Sequence, residues 1–233
     1  MFNNLAELSV ALASWQVERL SVVEPVELQN IYKLRFEIEY YREAVIYRFI
    51  DLVKPAITLF ETGDYLAAVV LARSAQETIS VLLYINLLME SAIERRDVAN
   101  LKSELKKLIL GKSNDPLFPE RINILKLIDK ADKITPGFRD HYDILSEYAH
   151  PNLSGTFFIF AKPIQDPMQV IFGRFIRGED CIKTQIESSL LCSSLLYLFC
   201  QSTYSQMSTP FQTLCIDLHD HSELYPMSPN NES

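Results

Sequence analysis

Between Asp64 and Glu94 the chain carries its most hydrophobic stretch, YLAAVVLARSAQETISVLLYINLLMESAIE, whose apolar residues fall on nearly every side of a helix. Such a helix has almost no polar face to offer water, so it belongs at the centre of a structure with other elements packed around it. The expected fold class is therefore mainly α, a helical bundle with long antiparallel helices. Within this helix Arg73 and Glu77 stand four residues apart, a spacing that puts them on one face and lets them pair. Charge in so apolar a helix has to be paired or put to use.

The flanking sequence supplies the neighbours. Helical spacing from Ala6 to Val23 predicts a first helix that buries Leu8, Leu12, Trp15 and Val22 and stops before Pro25. A second pattern, 26–61, is rich in aromatic residues (Tyr32, Phe36, Tyr40, Tyr47, Phe49, Phe60), and Pro55 is expected to kink it or split it in two. Gly63 suits a C-cap and Asp64 the following N-cap. After a basic helix at 98–110 comes a loop with Gly111, Asn114, Asp115 and Pro116. Pro119 fits the first turn of the next helix, Thr135 and Pro136 fit the N-cap and first position of another, and Pro151 ends that one. Thr156–Ala161 and Gln169–Ile176 read as a β-hairpin or a long ordered loop, and helices are expected again at 179–207 and 211–220. No repeat or linker divides the chain, so residues 1–225 are expected to form one domain and 226–233 a disordered tail.

Composition narrows the function classes. Hydrophobic residues at 48% and charged residues at 22% are those of a folded globular chain. The N-terminus lacks a basic leader and carries Glu7 and Glu18, which argues against a secretion signal. The run Leu190–Cys200 is too short for the roughly 20 residues of a membrane span. Cys181, Cys192, Cys200 and Cys215 lie in apolar helical sequence without metal-site spacing, and are read as small buried hydrophobes in a reducing, cytoplasmic setting. A net charge of −8 excludes a general nucleic-acid-coating surface, yet residues 95–139 hold 11 Lys/Arg against 6 Asp/Glu. That stretch is either a solvated helix face or a strip facing an anion.

The segment YDILSEYAHPNLSG, 142–155, is the most unusual local signal. The proline after His150 pushes its backbone out of the α region, leaving the imidazole at a helix C-terminus, where the dipole favours a protonated ring. Asn152 is suited to a left-handed cap and to donating hydrogen bonds, and Tyr142, Ser146 and Tyr148 are candidate partners for Arg73 and Glu77. The structural alternative is that His150, Pro151 and Asn152 merely stop the helix while Ser154 and Gly155 turn the chain. His141 is read as a surface residue and His219, Asp220 and His221 as a solvated helix end, so no metal and no cofactor are expected. Phosphate-binding, dinucleotide, nucleophile-elbow and zinc-protease motifs are missing from the sequence.

The RSAQE of the apolar helix, followed after several helices by LSEYAHPN, resembles a group of bacterial helical proteins similar to the HEPN superfamily. The resemblance spans roughly residues 60–155. It implies a helical bundle, and the superfamily includes metal-independent ribonucleases of toxin and phage-defence systems. Their RxxxxH pattern departs here, because Leu145 stands where the arginine would be and Arg139 is eleven residues before His150. Either the nuclease site is lost, or Arg73 supplies the cation with Glu77 orienting it and His150 as acid or base. The expectation is a polar pocket of Arg73, Glu77 and His150, with Tyr142, Ser146, Tyr148 and Asn152 as binding residues, used for a ligand or partner. RNA or a nucleotide, or a protein docked on the aromatic helix or the hairpin, are the candidate partners. Trp15 and the aromatic helix suggest a homodimer.

Overall fold

Helices α1 (Leu5–Val17), α2 (Asn30–Glu61), α3 (Tyr65–Arg95), α4 (Ala99–Leu110), α5 (Ile124–Ile134) and α6 (Phe138–Ala149) follow one another in the computed structural model. A wide π turn over Leu153–Phe157 then leads through the short α7 (Phe158–Phe160) into an antiparallel hairpin, β1 (Ala161–Ile164) and β2 (Gln169–Phe172), and the long α8 (Asp180–Leu224). The structure describes residues 4–23, 30–165 and 168–224. The expected tail 226–233 and the side chains of Tyr32, His219, Asp220 and His221 lie outside the described residues. The protein is thus mainly α, a helical bundle with one two-stranded hairpin.

The chain resolves into two compact units, each assembled from three separated stretches. One comprises Met1–Arg19, Val45–Leu83 and Asn123–Phe199; the other comprises Leu20–Ala44, Tyr84–Ile122 and Cys200–Ser233.

In the first unit, α2 reaches Gly63, whose φ of +80° is a conformation that favours glycine, and Asp64 N–H closes the helix end on the Leu59 carbonyl at 2.8 Å. The chain reverses there into α3. Arg48 and Thr78, nearly equidistant from the turn, are joined by a 3.3 Å hydrogen bond, which fixes the two segments as antiparallel neighbours. Asp64 also pairs with Arg174 at 2.9 Å, tying the exit of the hairpin to the α2–α3 turn. The core is aromatic where α1, α2 and α8 meet: Tyr197 lies 4.3 Å from Trp15 and 5.6 Å from Phe49, ring centre to ring centre. In the second unit, Leu34, Ile38, Leu88, Met89, Leu101, Leu105 and Phe211 are buried.

Several local expectations are corrected. The first helix ends at Val17, leaving Val22 exposed. Pro55 and Pro210 break neither α2 nor α8, each of which is continuous; the carbonyls they leave without a donor belong to the exposed Asp51 and Gln206, where water can satisfy them. Pro119 is not helical: its carbonyl accepts from Lys112 N–H at 3.0 Å, and α5 begins after Asn123, whose side chain caps Leu125 N–H. Thr135 closes α5 instead of opening α6. The start of α6 is capped by Asp132, which accepts from Gly137 and Arg139 N–H at 3.0 Å each, while Gly137 takes φ +89°. Thr156–Phe160 is helical, not extended, so the hairpin is shorter than its hydrophobic stretches, with Ala161 opposite Phe172. Cys181 is exposed and Cys192 half-buried, so only Cys200 and Cys215 behave as buried apolar residues.

Among the described residues α3 alone is long and apolar enough to cross a membrane; 56% of its most apolar window is buried within the protein. Gln76, Thr78, Ser80 and Asn86 are buried polar residues of that helix, and each hydrogen-bonds within the protein.

Candidate functional site

In the first unit α3 and α6 face each other with complementary polar groups. Tyr142 and Ser146 are four residues apart, so both project from α6 on the side that meets α3. Arg73 Nε donates to Ser146 Oγ at 2.9 Å and Arg73 Nη2 to Tyr142 Oη at 3.1 Å. Glu77 Oε1 lies 3.1 Å from Arg73 Nη2 and accepts from Tyr142 Oη at 2.9 Å. The ion pair is not deep in the core, since its side chains are 29% and 30% exposed.

Burial raises the Tyr142 phenol above its ordinary value; the hydrogen bond from Arg73 opposes that rise and the one to Glu77 adds to it. Tyr142 is consequently a neutral donor at physiological pH, which is the form the bond to Glu77 requires. The result is a closed quartet in which each charged group meets its opposite and a hydroxyl.

The other candidate residues have different partners. Tyr148 Oη is 3.6 Å from Cys181 Sγ, and burial followed by that contact pushes its phenol up to about 12. Asn152 is extended (φ −102°, ψ −166°) instead of left-handed; its Oδ1 accepts from Gly155 N–H at 2.9 Å and its Nδ2 donates to Glu147 at 2.7 Å. Its side chain is therefore committed to the turn.

His150 caps α6 with φ −83° and ψ 142°, as its following proline requires, and is exposed. It sits one helical turn beyond Ser146, but its imidazole makes no hydrogen bond to Arg73 or Glu77. The structure thus gathers Arg73, Glu77, Tyr142 and Ser146 and leaves His150, Tyr148 and Asn152 outside the quartet. No protein-family model, curated protein or solved structure matches the chain. His141 is half-buried, its Nδ1 3.0 Å from Gln185 Oε1. Among the described residues no group of three His, Cys, Asp or Glu side chains is placed to hold a metal ion.

Residues 95–139 are shared between the two units, and part of their charge is internally compensated. Arg139 pairs with Asp129 at 2.6 Å and Asp143 at 2.8 Å, Lys107 with Glu104 at 2.6 Å and Arg96 with Asp217 at 2.8 Å.

Sequence reasoning missed a buried polar group in the second unit. Arg42 and Glu43 are each only 7% exposed. Arg42 donates to Gln201 and lies 3.8 Å from the centre of the Tyr204 ring, while Glu43 accepts from Leu20 N–H at 3.1 Å. The signal was available: Arg42 falls four residues after Ile38 and four before Ile46, inside the apolar stripe of α2.

Proposed function

We propose that the chain is a HEPN-like helical protein that binds a ligand or partner through the α3–α6 region and does not cleave RNA. The supporting observation is the quartet: Arg73 pairs its charge with Glu77 and engages its Nε and Nη2 with Ser146 and Tyr142. A metal-independent ribonuclease needs a cation free to meet the charge building on a phosphate and an acid or base beside the attacking hydroxyl. An arginine already neutralised by a carboxylate meets the first need poorly.

The binding surface in this reading is the exposed C-terminal end of α6, where His150 follows Ser146 of the quartet by one helical turn, and RNA or a nucleotide is the ligand class to be tried first. Cytoplasmic location, and a homodimer formed by the exposed tyrosines of α2, belong to the same proposal; Trp15 does not contribute to the latter, being only 7% exposed. The second reading, a toxin or defence ribonuclease acting through His150 and Arg73, is favoured by one observation, that His150 is exposed one turn from Ser146.

The test is a cleavage assay of the purified chain on structured and unstructured RNA with chelator present, alongside His150→Ala and Arg73→Ala. The expected result is no cleavage above background by any of the three proteins. Chelator-resistant cleavage by the wild type that both substitutions abolish would establish the nuclease and overturn the proposal.

A further inference from the structure

A groove of about 580 Å³ opens in the second unit between α2 and α4. Its lining includes the apolar side chains Leu34, Leu105 and Ile109, and it is rimmed by Lys33, Lys102 and Lys106. Glu37 is the one acid in the lining. Leu34 and Leu105 are buried at the bottom, whereas all three lysines are exposed.

The lysines have no carboxylate partner among the described residues, and the reason is local. Glu104, the acid of α4, is already held by Lys107 at 2.6 Å and by Tyr84 Oη at 2.8 Å. Lys102 and Lys106 are four residues apart on the same helix face, an arrangement in which like charges repel. In a chain of net charge −8, three exposed lysines against the single carboxylate of Glu37 around an apolar floor form a local exception among the described residues.

We propose that this groove docks an acidic amphipathic helix of a partner protein. Such a helix lays apolar side chains at i, i+3, i+4 and i+7 onto the floor and sets its flanking carboxylates against the lysine rim. Charge complementarity selects the partner's sign, and the apolar floor selects a helix over a nucleic acid. Single-stranded RNA would want a row of aromatic rings for its bases, and here the lining offers only Tyr40. The groove lies wholly within the second unit, so the inference does not depend on the quartet of α3 and α6.

The experiment is fluorescence anisotropy on the full chain with a labelled synthetic helix bearing leucine at i, i+3, i+4 and i+7 and glutamate on both flanks. Comparison probes are the same peptide with lysine for glutamate and a short oligouridylate. Saturable binding of the acidic helix is expected, weakened about tenfold in a Lys102→Glu, Lys106→Glu double variant, which should now prefer the lysine peptide. Both lysines are exposed, so the double variant should fold; its circular dichroism is compared with the wild type. Equal affinity of wild type and variant for the acidic helix, absence of saturable binding, or tighter binding of the oligouridylate would each overturn the proposal.

Discussion

Replacing Gly155 with alanine is expected to destabilise the protein by about 3 kcal/mol, the upper end of what overpacking costs. A Cβ at this position would stand 2.0 Å from the His150 carbonyl oxygen, 2.6 Å from that of Tyr148 and 3.0 Å from that of Glu147. These are backbone atoms at the end of α6, and none is the far end of a side chain that could swing away. The same change would disturb the bond from Gly155 N–H to Asn152 Oδ1 and with it the turn that positions His150. Gly137→Ala is the control: φ there is +89° but nothing lies within 4 Å of an added Cβ, so only the left-handed backbone penalty of about 1 kcal/mol applies. Chemical denaturation of the two variants measures the difference. Equal losses would mean that the turn after α6 is not packed as described.

Tyr197→Ala is expected to cost about 4 kcal/mol, as for other large aromatic residues removed from a core. The side chain is 1% exposed, tilted against Trp15 and stacked on Phe49 at an interplanar angle of 15°. Its neighbour Leu198 is 37% exposed, so Leu198→Ala should cost less than about 1 kcal/mol. Trp15 is the sole tryptophan and reports on the site directly. Its emission should move to longer wavelength in folded Tyr197→Ala and stay in place in Leu198→Ala.

The bundle was legible in the sequence because hydrophobic periodicity over long segments carries most of the information. The apolar helix 64–94, its Gly63–Asp64 entry and the end of α6 at His150 all follow from spacing and cap chemistry. The misjudged boundaries have a shared cause. Pro55, Pro119 and Pro136 are local signals whose outcome the tertiary surroundings decide: the carbonyl that Pro55 orphans reaches water, the Pro119 carbonyl is taken by Lys112 N–H, and Thr135 before Pro136 closes α5. Asp132 capping α6 from the preceding helix is likewise invisible to a scan for an N-cap immediately before a helix.

The quartet was half legible for the same reason. The spacing of Arg73 and Glu77 predicts their pairing, and the spacing of Tyr142 and Ser146 predicts a shared face, but the choice of partners across two helices does not follow from either. Tyr148 falls on another face of α6, toward Cys181, and Asn152 is consumed by the turn. The division of the basic stretch between two units depends on interleaving of the chain that no local signal marks.

The central claim is that the charge of Arg73 is consumed inside the protein, and a double-mutant cycle measures this most directly. Unfolding free energies of the wild type, Arg73→Met, Glu77→Gln and the combined variant should give a coupling of about 1 kcal/mol, at the top of the range for partly exposed ion pairs because Tyr142 bridges both groups. A coupling indistinguishable from zero would contradict the closed quartet. It would mean that the guanidinium is free to meet a phosphate, and the ribonuclease reading would then become the stronger of the two.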